Sequence, residues 1–261
     1  MEDYQWFQMR IKEDTGIDLT LYKEEQMRRR LTSLCVKNGV GKFRELYQIM
    51  SVNPASYEQF LDKMTINVTE FFRNRQRWHI LETKILPSLL KTTKRPLRIW
   101  SAACSTGEEP YSLSILLSQY LAPRDYSILA TDLDEGVLNR AQSGIFTEKA
   151  LKGLEQSEIL RYFKREKNFY RVNEDIQKPV TFRKHNLLSD LYENGFDLIV
   201  CRNVMIYFTE EAKGLLYTRF SEALKQKGVL FVGSTEQIFN PKQYGLQPLD
   251  TFFYEKEGKG I

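Results

Sequence analysis

Between Leu97 and Leu117 the chain passes within a few residues from a strand pattern to a helix pattern, and no other stretch limits the fold so tightly. The short run Arg98-Ile99-Trp100 leads into the small residues Ser101 to Thr106 and a single glycine, Gly107. Glu108-Glu109-Pro110 follows, and then the apolar-periodic Leu113-Ser114-Ile115-Leu116-Leu117. That order reads as a strand, a tight turn and a helix start. Pro110 suits a first helical turn, Glu108 and Glu109 suit the positive end of a helix dipole, and Ser105-x-x-Glu108 fits a capping box. In open α/β sheets, small ligands sit in the crevice beyond such a strand end.

The turn also discriminates between ligands. A dinucleotide site of the G-x-G-x-x-G type brings bare backbone amides up to a pyrophosphate, whereas this turn has one glycine and two carboxylates at the helix entrance. A phosphate is repelled there. A ligand with a cationic amino-acid end, such as S-adenosylmethionine, is attracted. An ordinary capped helix after an ordinary strand is the alternative these residues leave open.

Upstream, residues 1 to about 60 read as a helical module. Tyr4, Phe7 and Ile11 lie at helical spacing before a break at Thr15-Gly16. A second helix from Tyr22 to Val36 carries Met27, Leu31, Leu34 and Cys35 and stops at Asn38-Gly39. A third follows with Phe43, Leu46, Tyr47 and Ile49, and a fourth from Tyr57 to Met64 after Ser51-Val52-Asn53-Pro54. Residues 79 to 91 form an amphipathic helix.

From Arg98 strands and helices alternate: Tyr126 to Ala130, a helix near Glu135 to Gln142, Phe196 to Cys201, a helix from Thr209 to Lys225, Gly228 to Gly233, and one closing strand within Leu246 to Glu255. This predicts a doubly wound, mostly parallel α/β sheet. Between about 147 and 181 the alternation is interrupted. A helical piece near Glu155 to Lys164 and the β-prone stretches 168–172 and 179–183 are expected to make a small inserted sheet.

Composition excludes several classes. With 261 residues, 42% of them hydrophobic, a sizeable core is available, and a net charge of +4 does not demand nucleic acid. Cys35, Cys104 and Cys201 are widely spaced and form no C-x-x-C, so neither a disulfide framework nor a metal site is indicated. No signal pattern opens the chain and no apolar run approaches the roughly 18 residues of a membrane span. A cytoplasmic location without membrane insertion is expected.

Polar residues follow three strand ends. Asp132, in Thr131-Asp132-Leu133-Asp134, stands about 24 residues beyond Glu108, where an acid can accept from both ribose hydroxyls, or it caps the next helix. Arg202 to Phe208 offers an amide, a tyrosine hydroxyl and apolar side chains to an adenosine, or is core with a buried Asn. The basic residues Arg75, Arg77, Lys84, Lys91, Lys94, Arg95 and Arg98 make either a solvated face or a surface for an acidic protein or RNA.

Taken together, Thr65-Ile66-Asn67-Val68-Thr69-Glu70-Phe71-Phe72-Arg73, Ser101 to Tyr111, Ala130 to Asp134, Asn186-Leu187-Leu188 and Cys201 to Phe208 resemble the chemotaxis receptor methyltransferases of the CheR family. The resemblance covers nearly the whole chain. It implies a helical N-terminal domain and linker over 1–66, an S-adenosylmethionine-dependent methyltransferase domain over 67–261, and a β-subdomain inserted at 147–181. It further implies that Asn67, Thr69, Arg73, Ala102, Glu108, Asp132, Asn186, Leu187, Asn203 and Val204 line the cofactor site.

The family reaction esterifies receptor glutamates, leaving S-adenosylhomocysteine. It needs little acid-base machinery, because a glutamate is already ionised at neutral pH. Arg73 is the candidate to hold a carboxylate, whether of the substrate or of the cofactor, and Tyr207 the candidate to orient the acceptor. His79 and His185 are not required. Arg28, Arg29 and Arg30 are candidates for docking the acidic methylation region of the receptor. A monomer is expected. The segment Lys164 to Tyr170 is short and lacks the glycine-containing loop with which some members bind a receptor pentapeptide, so tethering is expected to be absent or weak. A binding module without turnover and an RNA methyltransferase are the competing readings. Intact Arg73, Glu108, Asp132 and Asn203 argue against the first, and the absence of an aromatic-interleaved basic motif against the second.

Overall fold

The computed structural model describes residues 2–65, 67–92 and 96–258. Ile66, Lys94 and Arg95, used in the readings above, lie outside these.

Four helices open the chain: α1 (Asp3–Thr15), α2 (Glu24–Lys37), α3 (Phe43–Val52) and α4 (Pro54–Thr65). Their ends follow from local chemistry. Gly16 takes the left-handed conformation and its N–H closes on the Lys12 carbonyl, ending α1. The Asp3 carboxylate accepts the Phe43 N–H at 2.7 Å, so the first helix caps the third. Phe7, Leu31, Leu34 and Phe60 are fully buried where the four helices meet. Each contributes about 1.5–3 kcal/mol of burial.

Next come α5 (Arg75–Ile80), a five-residue π turn (Leu81–Ile85) and α6 (Leu86–Thr92). The single amphipathic helix expected over 79–91 is therefore interrupted by a wider turn, which puts Leu81, Ile85, Leu86 and Leu89 on the buried side.

The remaining elements are β1 (Leu97–Ala102), α7 (Glu108–Ser118), β2 (Tyr126–Asp132), α8 (Glu135–Ser143), β3 (Ile145–Thr147), α9 (Gln156–Tyr162), β4 (Phe163–Glu166), β5 (Phe169–Val172), α10 (Glu174–Gln177), β6 (Val180–Lys184), β7 (Phe196–Cys201), α11 (Glu210–Ala223), β8 (Leu224–Val232), β9 (Leu246–Asp250) and β10 (Phe253–Lys256). Seven strands form one sheet in the order β6-β2-β1-β7-β8-β10-β9. Pairing is parallel from β6 to β8, and β10 is antiparallel to both neighbours. This is the doubly wound, mostly parallel α/β architecture expected. Strand order reverses beside β1, which places a crevice beyond its carboxyl end and that of β7.

Three expectations are corrected. Residues 179–183 do not belong to an inserted sheet: β6 pairs in parallel with β2, Ile128 opposite Val180, and forms the edge of the main sheet. The small sheet is antiparallel, ordered β3-β5-β4, and recruits Ile145–Thr147 and Phe163–Glu166 instead. These short edge strands carry too little alternation to be read as strands. The closing strand is two strands, split at Thr251-Phe252, where Phe252 has φ +70°.

One hydrophobic core runs from the N-terminal helices into the sheet. Phe7, Leu31 and Phe60 belong to the same buried cluster as Trp100, Phe196 and Phe220. Main-chain bonds reinforce the junction: Lys23 N–H donates to the Tyr207 carbonyl at 2.8 Å, and Thr209 N–H to the Leu21 carbonyl at 2.9 Å.

Candidate active site

The turn after β1 is sharp enough that Ala103 and Ser105 adopt positive φ of 60° and 49°, and Gly107 96°. At Gly107 a Cβ would lie 2.9 Å from the Ala141 Cβ, so glycine is required both by conformation and by the approach of α8. The capping box expected from Ser105 and Glu108 does not form. Gly107 occupies the cap position of α7, the Ser105 hydroxyl turns to the Asn67 carboxamide oxygen at 3.1 Å, and the Glu108 carboxylate receives the Thr106 hydroxyl at 2.7 Å.

The same turn rules out the capping reading of Asp132. Its Oδ2 accepts the Ser105 N–H at 2.8 Å and its Oδ1 the Asp134 N–H at 3.1 Å. Asp134, not Asp132, caps α8, accepting from Gly136 at 2.8 Å and Val137 at 3.4 Å. Asp132 thus stays at the strand end, facing the crevice. Burial pushes its carboxyl up to about 6, against the two backbone donors that favour the anion.

A cavity with about 1190 Å³ of empty volume, its open mouth included, lies over these strand ends. Of the residues nominated from sequence, Asn67, Thr69, Arg73, Asp132, Asn186, Leu187, Asn203, Val204 and Tyr207 line it. Four separate stretches therefore converge on one space, which the turn after β1 joins through Ala103, Cys104, Ser105 and Glu109. Two nominations fall behind the wall. Ala102 is fully buried within β1, and Glu108, 5% exposed, points its carboxylate at Thr106. The acid on the cavity is the next residue, Glu109. A helix start presents only one of two adjacent side chains to a given side, and sequence cannot say which.

Glu109 sits in a buried charge network absent from the sequence reading. Its carboxylate accepts the Ser101 hydroxyl at 2.8 Å and faces the Arg202 guanidinium at 3.6 Å. Burial raises the Glu109 carboxyl from its ordinary value, and Arg202 opposes the rise. Arg202 also donates to the Arg73 carbonyl at 2.7 Å and lies over the Phe231 ring. Arg73 donates from its guanidinium to the Val68 carbonyl at 2.8 Å, which closes the loop 68–73.

Opposite, the N-terminal helical module supplies Tyr22, Met64 and Thr65 to the cavity wall. Tyr22 packs edge-on against Phe208, with centroids 5.0 Å apart. His185 also lines the cavity, and burial keeps its pKa below the ordinary value.

The three candidate docking arginines separate. Arg28 and Arg29 are exposed on α2, whereas Arg30 is half-buried, with its guanidinium on the Tyr207 ring. Several cations of the basic stretch are tied to the chain itself: Arg75 to Glu158, Lys84 to Asp250 and Arg98 to Glu193, with Arg77 on the Phe252 ring.

Residues 67–253 match the family described as "CheR methyltransferase, SAM binding domain", SAM being S-adenosylmethionine, and residues 2–65 match "CheR methyltransferase, all-alpha domain". The chain belongs to the CheR methyltransferase family. It is 46% identical over 255 residues to the chemotaxis protein methyltransferase of Listeria innocua, covering 98% of this chain and 97% of that one. The chemotaxis protein methyltransferase of Salmonella typhimurium is 35% identical over 240 residues, covering 88% of this chain and 82% of its own. That of Borreliella burgdorferi is 35% identical over 236 residues, covering 85% and 83%.

The cavity suits the cofactor that the CheR domain description names. A buried acid at the end of β2 matches ribose hydroxyls, and the carboxylate of Glu109 matches a cationic amino-acid end. Among the described residues no cluster of acids, histidines and cysteines could hold a metal ion, and no helix is long and apolar enough to cross a membrane.

Proposed function

We propose that this CheR-family chain transfers the methyl group of S-adenosylmethionine to side-chain carboxylates of specific glutamates in chemoreceptors, forming methyl esters for chemotactic adaptation. The observation that carries the reading is the convergence of Arg73, Asp132, Asn203 and Tyr207 on one cavity beside the partly buried Glu109.

The bound cofactor supplies an activated methyl on a sulfonium with a neutral leaving group. The chain supplies position. Asp132 would receive the ribose hydroxyls, and Asn67, Thr69, Asn186, Leu187, Asn203 and Val204 would complete the wall of the cofactor site. Glu109, rather than Glu108, balances the cationic end. Arg73 holds a carboxylate by charge-assisted hydrogen bonds. Tyr207 orients the acceptor oxygen, and the wall from Tyr22 to Phe208 excludes water. No general base is called on, because a glutamate acceptor is already ionised at neutral pH and brings no proton to remove. Exposed Arg28 and Arg29 lead the acidic methylation region to the cavity by electrostatic steering. The hairpin of β4 and β5 turns through Lys167-Asn168 alone, which supports recognition that does not depend on a pentapeptide tether.

The deciding experiment is transfer of tritium from methyl-labelled S-adenosylmethionine to chemoreceptor-containing membranes, followed by base treatment. Label released as volatile methanol is the expected result. Base-stable label, or label on RNA, overturns the glutamate assignment, and absence of label in an assay validated with a relative's enzyme overturns turnover itself.

A further inference from the structure

Asn203, Val204 and Tyr207 lie on a loop that leaves β7 with Asn203 at φ +62°, a conformation that favours glycine. Asn enters that region more readily than most non-glycine residues, and here its main chain is also held from outside the loop. What holds it is a carboxylate from a different part of the chain. Glu236, 5% exposed, accepts the Asn203 N–H at 2.8 Å and the Gly233 N–H at 2.8 Å on Oε2, and the Ile206 N–H at 3.2 Å on Oε1. Three main-chain donors on two segments thus end on one side chain.

We propose that Glu236 is a positioning residue of the transfer site, fixing the 203–207 loop through backbone N–H groups and so setting where Asn203 and Tyr207 stand. A second, independent observation supports it. A Cβ at Gly233 would overlap Glu236 Oε2 and lie 2.8 Å from the Asn203 nitrogen. The glycine at the end of β8 is required because the carboxylate and the loop approach it so closely. A charged acceptor suits the task, since hydrogen bonds to an ionised group are roughly twice as strong as neutral ones. An amide in its place keeps one acceptor and turns an N–H₂ toward a main-chain donor.

The inference deepens the reading of this cavity as the S-adenosylmethionine site, and one of its tests stands apart from that reading. Glu236→Gln and Gly233→Ala are each compared with the unaltered chain by calorimetric titration with S-adenosylhomocysteine, by steady-state methyl transfer and by thermal melting. The ¹H–¹⁵N spectrum is read at Asn203, Ile206 and Gly233. Each variant is expected to weaken S-adenosylhomocysteine binding about tenfold or more, with little additional loss in the double variant because both act through one contact. The three amide signals are expected to shift upfield while the rest of the spectrum is retained. Glu236→Gln within twofold of the unaltered chain in both affinity and turnover, with the amides unmoved, overturns the proposal. Should that variant not fold, hydrogen exchange at Asn203 and Ile206 in the unaltered chain decides: protected amides support the clamp and freely exchanging ones overturn it. The amide readout also works if the cavity proves to bind another ligand.

Discussion

The Arg30 guanidinium lies 4.4 Å from the centroid of the Tyr207 ring and donates to the Met64 carbonyl at 3.2 Å. One side chain of α2 thereby joins the helical module to the tyrosine of the proposed transfer site. Cation–aromatic pairs contribute about 0.5–2 kcal/mol. Arg30→Ala is therefore expected to lower kcat for carboxyl methylation by roughly tenfold, with S-adenosylhomocysteine affinity within about threefold. Arg30→Lys, which keeps the charge, is expected to recover part of the rate.

Arg28 and Arg29 are expected to behave differently, being exposed on the same helix. Charge reversal at both should lower kcat/KM for receptor at low ionic strength, and the difference from the unaltered chain should shrink as salt rises. Unchanged methylation at low salt removes these two residues from docking.

Asp132 sets a pH dependence whose sign follows from its raised pKa. A carboxyl whose folded-state pKa stands above its unfolded value stabilises the fold below about 4, and that contribution is lost as pH rises through about 6. Ligand binding runs the other way, because only the anion accepts from two ribose hydroxyls. S-adenosylhomocysteine affinity is expected to fall as pH drops through about 6, and Asp132→Asn should weaken binding and flatten that limb of the profile. Calorimetry across pH 5–8 measures both.

Arg202→Ala removes the buried partner of the partly buried Glu109 carboxylate. Leaving one member of a buried ion pair alone costs about 3–5 kcal/mol, and thermal or denaturant unfolding should register it. The Arg73 carbonyl loses a donor in the same step.

Gly107→Ala is expected to destabilise by about 1–3 kcal/mol through backbone strain at its left-handed φ, with a further penalty from the Ala141 side chain. Loss of ligand affinity should accompany it, because the displaced turn carries the Ser105 N–H that holds Asp132.

The parts of the molecule legible in the sequence are those whose residues declare themselves locally. The turn from β1 to α7 was marked by its glycine and acids, and Asp132 by its position after an apolar run. The four N-terminal helices were marked by their spacing and by the stops at Gly16 and Asn38-Gly39. What stayed hidden depends on partners distant in the chain. The choice of Glu109 over Glu108 rests on Ser101 and Arg202, which no local pattern reveals. Glu236 meets Asn203 across 33 residues, and nothing around it in sequence signals that use. Tyr22 belongs to a helical module legible only as packing, and Arg30 reads as a surface docking residue, although their side chains stand at the cavity and on Tyr207. The pairing of β6 with β2 is hidden because strand propensity says nothing about which neighbour a strand will pair with.

The core shared by the helical module and the sheet has a consequence for anyone recombining relatives. A cut near residue 66 would strip Tyr22, Met64 and Thr65 from the cavity and expose the apolar face beneath Trp100 and Phe220. The smallest exchangeable unit is then the two matched regions together, and a chimera joining the first part of one relative to the second of another must also inherit a compatible pair at 30 and 207.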